Sequence, residues 1–131
     1  MIYVDSCIPM YLVGAANPLK NRVIELVPVL VRSGEELVTS AEAFQEIIHR
    51  YLAVGDRQHL HAAYEAMNEI AASVADVIKP DTDRALALSS RYEGLSSRDC
   101  LHLAIMQRLG CRKVWTYDTR FDLVPAIHRI Q

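Results

Sequence analysis

Four acidic side chains stand where the sequence predicts a strand to end or a helix to begin. Asp5 directly follows one predicted strand, and Asp118 follows another. Asp99 lies in the first turn of a predicted helix, and Glu46 lies about two turns into another. Carboxylates that are brought together repel one another and destabilise a fold unless a cation lies between them. If the fold gathers these four groups, they predict a divalent-metal site.

Strands and helices alternate along the whole chain. Short runs of β-branched, aromatic and apolar residues predict strands over about 2–5, 36–39, 74–78, 113–116 and 126–130. Helical periodicity and capping residues predict helices over about 10–13, 19–33, 41–54, 57–73, 82–92 and 97–109, with a bend at Pro28 and a break at Lys79-Pro80. This alternation predicts an α/β fold, a three-layer α/β/α sandwich with a central, mostly parallel sheet. The 131 residues fit a single domain, 1–131.

The predicted topology places the four acids at one edge of that sheet. Ligands of open parallel sheets bind beyond the carboxyl ends of the strands, which is where Asp5 and Asp118 project. The helix that carries Asp99 must run antiparallel to the strand after it, so its first turn lies at the same edge. Glu46 stands roughly 9–11 Å into its helix, and its long side chain tilts back towards the helix start. We therefore expect one carboxylate cluster.

Each acid also has a structural interpretation. Asp5 can cap the first helix, and Asp118 can belong to an ordinary turn. The segment Ser96–Asp99 matches a capping box, and so does Thr39–Glu42. We therefore interpret Glu42 as a cap, although it lies one turn nearer the sheet edge than Glu46. For the four acids, the edge that they share supports a metal site.

A site with only oxygen ligands favours Mg²⁺ or Mn²⁺ over zinc. Such an ion polarises a phosphate oxygen and lowers the pKa of a bound water. It would also supply positive charge to a chain whose net charge is −2. Arg98 and Arg120 near the edge can grip phosphate, or they can pair with the adjacent acids. His102 shares a helical face with Asp99, and we interpret it as a packed residue beside the site rather than a ligand.

Several short segments occur in a family-like order and spacing. They are Val4-Asp5-Ser6, Thr39-Ser40 with Gln45-Glu46-Ile47, Ser96-Ser97-Arg98-Asp99 with His102-Leu103-Ala104, and Thr116-Tyr117-Asp118 with Phe121-Asp122. The ordered set resembles the PIN-domain family and, within it, the bacterial VapC-type toxins. The resemblance implies that the metal-binding, catalytic acids are Asp5, Glu46, Asp99 and Asp118. It also implies that Ser6 and Thr116 orient ligands or water, with Asp122 as an accessory acid.

The same resemblance implies a function. The VapC-type toxins are metal-dependent endoribonucleases that form homodimers, cleave structured RNA such as transfer or ribosomal RNA, and are inhibited by a cognate antitoxin protein. Residues from about 55 to 95 carry no motif of the family, so this segment gives no indication of substrate choice.

Composition limits the alternatives without choosing among them. Apolar residues make up 51% of the chain, charged residues 23%, and no apolar run reaches the roughly 20 residues of a membrane span. Three cysteines without paired spacing favour free thiols in a cytoplasmic protein. Two other interpretations remain open. One is a di-iron helical bundle, because Glu46-x-x-His49 and Asp99-x-x-His102 have its ligand spacing; the other is a non-catalytic acidic cleft that binds a basic peptide.

Overall fold

A central sheet of five parallel strands organises the computed structural model, which describes residues 1–131. The strands are β1 (Ile2–Val4), β2 (Leu37–Ser40), β3 (Ser73–Ala75), β4 (Lys113–Trp115) and β5 (His128–Ile130). Their order across the sheet is β3-β2-β1-β4-β5, and every neighbouring pair is parallel. The predicted parallel α/β sheet is confirmed. A fold of this kind is incompatible with the all-helical di-iron bundle, so that alternative is wrong.

Six α-helices connect the strands. They are α1 (Cys7–Val13), α2 (Pro18–Arg32), α3 (Ala41–Val54), α4 (Arg57–Ile70), α5 (Lys79–Arg91) and α6 (Ser97–Leu109), and a 3₁₀ helix spans Thr119–Leu123. The carboxamide of Asn17 caps α2 by accepting from two backbone N–H groups. Gly55 and Gly110 end α3 and α6 in the left-handed region, which a glycine adopts without a steric penalty. No helix combines the length and apolar character that crossing a membrane requires.

The alternation of side chains along β1 divides the core into two layers. Ile2 and Val4 pack with residues of α1, α2, α3 and α4 on one face of the sheet. Tyr3 points to the other face, where it joins Ile105 and Met106 of α6. The sheet is therefore covered on both sides, and the predicted three-layer sandwich is confirmed.

Element boundaries differ from the predictions mainly around β3. The strand is Ser73–Ala75 instead of 74–78, and α4 ends earlier, at Ile70. Pro80 does not break the chain before α5, because it lies in the first helical turn, where a missing N–H removes no helical hydrogen bond. The carboxylate of Asp81 accepts the N–H of Ile78 at the same helix start, which explains why α5 begins at Lys79.

The order of the strands creates a crevice beside β1. From β1 the chain continues to β2 on one side, whereas from the neighbouring β4 it continues to β5 on the other side, so the connections after β1 and β4 diverge. Crevices at such switch points are where open parallel sheets bind ligands. The first acid of the predicted site follows β1 at this point.

Candidate active site

Asp5 is fixed at the carboxyl end of β1. Its backbone N–H donates to the carbonyl of Trp115, so the residue is tied to the end of β4. Its side chain is buried, with 8% of the residue exposed. Thr116 Oγ1 donates to Asp5 Oδ2, and Ser6 Oγ lies 3.4 Å from Oδ1. No basic side chain forms an ion pair with Asp5, and Thr116 and Ser6 contact its carboxylate through their hydroxyl groups.

Thr116 links Asp5 to Asp118. Its Oγ1 accepts the backbone N–H of Asp118 at 3.0 Å while its own hydroxyl proton goes to Asp5. The first residue after β4 therefore holds two of the predicted acids in a fixed relation. A threonine suits this place because its side chain has only one rotatable bond to order.

Glu46 reaches the same crevice from α3, as its position about two turns into the helix predicts. Ser6 Oγ donates to Glu46 Oε2 at 2.7 Å, and Arg98 Nε lies 4.0 Å from Oε1. His102 Nε2 lies 3.1 Å from Oε2. Burial raises the pKa of Glu46, but contact with His102 and Ser6 outweighs burial and holds the pKa below its ordinary value.

His102, which the sequence predicts to pack beside the site, lies next to the carboxylates of Asp5 and Glu46. Its ring is 1% exposed, and Nδ1 lies 2.6 Å from the hydroxyl of Tyr3, which lies 2.6 Å from Ser40 Oγ. Nε2 lies close to Glu46 Oε2 but has no aligned hydrogen-bond partner. Burial lowers the pKa of His102, but the carboxylates of Glu46, Asp5 and Glu42 outweigh burial and raise it.

Three ligand atoms converge at this point, one each from Asp5, Glu46 and His102, all within 4.8 Å of one another. The other two predicted acids do not belong to this group. A buried ring nitrogen therefore lies beside two of the four predicted carboxylates, and the ligand set remains a prediction.

Asp99 and Asp118 lie around Arg120 instead. Arg120 Nη1 is 3.3 Å from Asp99 Oδ2, and its Nε is 3.0 and 2.9 Å from the two oxygens of Asp118. These hydrogen bonds hold the pKa of Asp118 below its ordinary value. The charges of Asp118, Asp99 and Asp5 all raise the pKa of Arg120, so the guanidinium lies among three of the four acids.

The predicted cap at the start of α6 is confirmed. Asp99 Oδ2 accepts the N–H of Ser96 at 2.9 Å, and Ser96 Oγ accepts the N–H of Asp99 at 3.2 Å. Asp99 thus holds the helix end while one of its oxygens also faces Arg120.

The cap predicted at Glu42 is wrong. Thr39 Oγ1 donates across the sheet to the carbonyl of Val4, and Ser40 Oγ pairs with Tyr3, so neither hydroxyl caps α3. Glu42 is left half-buried at the site's margin, where burial raises its pKa. The tertiary partners of the two hydroxyls prevent the local capping box.

Asp122 forms an ion pair with Arg129 of β5. Its carboxylate binds Arg129 Nε at 2.9 Å and Nη2 at 3.1 Å, and more than half of its side chain is exposed. The structure does not bring it into the group formed by Asp5, Glu46 and His102.

The arrangement suits a divalent cation. Two buried or half-buried carboxylates face a ring nitrogen that has no hydrogen-bond partner, and no basic side chain forms an ion pair with Asp5. Burying such polar and charged groups away from water costs free energy unless they are paired or bind a metal. Ser6 and Thr116 hold the carboxylates in place, and Arg98 and Arg120 add positive charge at the margin.

Comparison with known proteins gives one consistent result. The family model "PIN domain" matches residues 2–127. By sequence, the chain is 40% identical over 130 residues to "VapC ribonuclease Mb1869c" of Mycobacterium bovis, covering 99% of each. It is 36% identical over 118 residues to "Ribonuclease VapC23" of Mycobacterium tuberculosis, covering 90% of this chain and 93% of that one.

Solved structures share the fold at low sequence identity. VapC20 of Mycobacterium tuberculosis, titled a "Sarcin-Ricin loop cleaving toxin", superposes with a TM-score of 0.71 at 19% identity, covering 93% of each chain. VapBC2 of Rickettsia felis, bound to a promoter DNA fragment, gives a TM-score of 0.76 at 13% identity, covering 99% of this chain and 98% of the other.

Proposed function

Because the chain belongs to the PIN-domain family, we propose that it is a metal-dependent endoribonuclease and the toxin of a toxin–antitoxin pair. The observation that carries the proposal is Asp5, a buried carboxylate at the sheet's switch point with which no basic side chain forms an ion pair. Relatives named as ribonucleases, 36–40% identical over nearly the whole chain, support the same reaction. The substrate is structured RNA, either transfer or ribosomal RNA.

Asp5 and Glu46 would hold the cation, Mg²⁺ or Mn²⁺, and Asp99 and Asp118 would complete the acidic site. A cation bound there would supply polarisation of the scissile phosphate and a lower pKa for the attacking water. Ser6 donates to Glu46 and Thr116 to Asp5, so both carboxylates keep their lone pairs turned towards the crevice. Fixed ligand orientation is what such chemistry needs from the protein.

The arginines at the margin hold the RNA backbone. Arg120 occupies the space between Asp99 and Asp118 and is 48% exposed, so a phosphate can reach it from solvent. Arg98 lies beside Glu46 and is 37% exposed. Phosphate contacts of this kind position an RNA without reading its sequence. Asp122 acts indirectly, by holding Arg129 near Asp118.

The proposal extends to the partners of the protein. A second copy of the single domain 1–131 forms a homodimer, and a cognate antitoxin inhibits the enzyme. RNA as substrate implies that the protein works in the cytoplasm. A complex with the antitoxin would abolish cleavage and leave the fold of the toxin unchanged.

Cleavage of total transfer RNA and ribosomal RNA tests the reaction, the cation and the substrate together. We expect defined cuts with Mg²⁺ or Mn²⁺ and none with excess EDTA. Asp5→Ala should abolish the cuts, whereas Asp76→Ala, which removes an exposed carboxylate, should leave them unchanged.

Two results would overturn the nuclease. One is intact RNA across the panel in excess Mg²⁺ and Mn²⁺; the other is equal cleavage by Asp5→Ala and the parent. Binding of a basic peptide without any RNA cleavage would instead support the interpretation that the site is a non-catalytic acidic cleft.

A further inference from the structure

The ring of His102 presents a nitrogen with no hydrogen bond to the centre of the carboxylate cluster. The residue is 1% exposed, and Nε2 is one of only three buried side-chain polar atoms in the chain that have no hydrogen-bond partner. A buried polar atom without a partner destabilises the fold unless something binds it. Its neighbours here are the oxygens of Asp5 and Glu46, and carboxylate oxygens are common ligands of divalent cations.

The spacing fits shared coordination of one ion. Ligand atoms about 2.1 Å from a metal and at right angles to each other lie about 3.0 Å apart. His102 Nε2 and Glu46 Oε2 are 3.1 Å apart. The Asp5 oxygen lies within 4.8 Å of both atoms, so a small movement of one carboxylate completes the set.

The opposite ring nitrogen is anchored as metal-binding histidines require. Nδ1 pairs with the Tyr3 hydroxyl at 2.6 Å, which pairs with Ser40 Oγ at 2.6 Å. If Nδ1 carries the proton and donates to Tyr3, Tyr3 donates to Ser40, and Nε2 keeps its lone pair. Metal-bound histidines almost always donate their other N–H in this way, which fixes both tautomer and ring orientation.

We propose that His102 is a direct ligand of the divalent cation through Nε2, together with Asp5 and Glu46. This deepens the proposed function, on which it depends for the catalytic role of the ion. One imidazole among carboxylates shifts the preference of the site from a hard ion towards a first-row transition ion. The site therefore binds Mn²⁺ in preference to Mg²⁺.

Pulsed EPR on the full-length protein loaded with Mn²⁺ tests the ligand without any RNA. We expect nitrogen hyperfine coupling of the kind given by a directly bound imidazole. The coupling should disappear in His102→Gln and persist in His49→Gln, because His49 is exposed on the same helix that carries Glu46. A parent spectrum without nitrogen coupling, or a coupling that survives in His102→Gln, would overturn the proposal.

Calorimetric titration gives the second readout. His102→Gln should weaken Mn²⁺ binding by at least about tenfold and change Mg²⁺ binding by less than about threefold. Tyr3→Phe removes only the anchor of Nδ1, and we expect Mn²⁺ binding about tenfold weaker with the nitrogen coupling retained. Equal losses for both ions in His102→Gln would show that the ring merely positions Glu46, which overturns the proposal.

Two further outcomes separate this inference from the proposed function. If His102→Gln does not fold, the parent spectrum and the Tyr3→Phe titration decide the ligand. Nitrogen coupling in a protein that leaves all RNA intact would support the ligand and overturn the nuclease. Cleavage of RNA by a protein without nitrogen coupling would support the nuclease and overturn the ligand.

Discussion

The two halves of α6 face buried carboxylates of opposite kinds. In the first half, His102 lies near Asp5, which is 8% exposed and whose side-chain contacts are with hydroxyl groups. In the second half, Arg108 Nε and Nη2 bind the two oxygens of Asp81 at 2.8 and 2.9 Å. Asp81 is 2% exposed and also accepts the N–H of Ile78 at 3.0 Å.

The difference shows how the role of a buried carboxylate follows from its partners. Asp81 has a guanidinium and a backbone N–H, so its charge is compensated within the fold and it stabilises the contact between α5 and α6. Asp5 lacks such compensation, and buried charges of that kind are costly unless a cation binds. Positive charge at the end of α6 and an acid at its start also both suit the helix dipole.

The largest expected effect comes from Asp5→Asn. Cleavage of RNA should fall by about a thousandfold or more, because the variant loses a charged ligand of the cation. Without divalent cation, however, the free energy of unfolding should not fall, and a rise of about 1 kcal/mol is expected from the lost repulsion. Cleavage rates and urea unfolding in EDTA measure the two effects.

A ligand-binding role for Asp5 also predicts a loss of stabilisation by metal. At a Mn²⁺ concentration 100 times its dissociation constant, the parent should gain about 2.7 kcal/mol of unfolding free energy. Asp5→Asn should gain almost none. If Asp5→Asn were less stable than the parent in EDTA, Asp5 would be a structural carboxylate like Asp81. The proposed difference between these two buried carboxylates would then be wrong.

Asp81→Asn should give the reverse pattern. Breaking a buried ion pair costs about 3–5 kcal/mol, and we expect about 2 kcal/mol here because the Arg108 side chain is 34% exposed. Cleavage at 25 °C should stay within about twofold of the parent, since Asp81 lies at the far end of α6. Urea unfolding and cleavage assays on one preparation measure both; a large loss of activity in a folded variant would contradict the assignment.

The Asp81 pair also predicts a pH dependence of stability. The hydrogen bonds from Arg108 hold the pKa of Asp81 below its ordinary value, although burial opposes this. Its contribution is therefore complete above the ordinary aspartate pKa of about 3.9 and is lost as the pH falls through the lower folded pKa. The stability difference between the parent and Asp81→Asn should shrink below about pH 4 in urea unfolding. A constant difference down to pH 2 would show that the charge of Asp81 does not matter.

Much of this organisation follows from the sequence. Short strands that end in Asp5 or just before Asp118 predict acids at one sheet edge, because parallel strands share their carboxyl ends. The Ser96–Asp99 box forms as predicted, since all its atoms lie within one helical turn.

Features that depend on distant partners could not be predicted. Tyr3 and His102 are 99 residues apart, and only the packing of α6 on the sheet brings them together. Asp81 lies in the segment without family motifs and meets Arg108, which stands 27 residues further along the chain. Thr39 and Ser40 match a capping signal, yet their hydroxyls bond across the sheet. The sequence signal that placed the histidine near the site is its position three residues after Asp99, on the same helical face.

The smallest effects are expected from two arginine substitutions that differ in kind. Arg120→Gln removes a half-exposed group from Asp99 and Asp118, so the free energy of unfolding should change by less than about 1 kcal/mol. The KM for RNA should rise several-fold, with a weaker dependence on salt and with kcat nearly unchanged, because a phosphate contact is lost.

Arg108→Gln should do the opposite, lowering the free energy of unfolding by about 2 kcal/mol without changing the KM for RNA. Steady-state kinetics at two salt concentrations, with urea unfolding of both variants, distinguish a substrate-binding arginine from a structural one; an unchanged KM in Arg120→Gln would assign Arg120 to the fold alone.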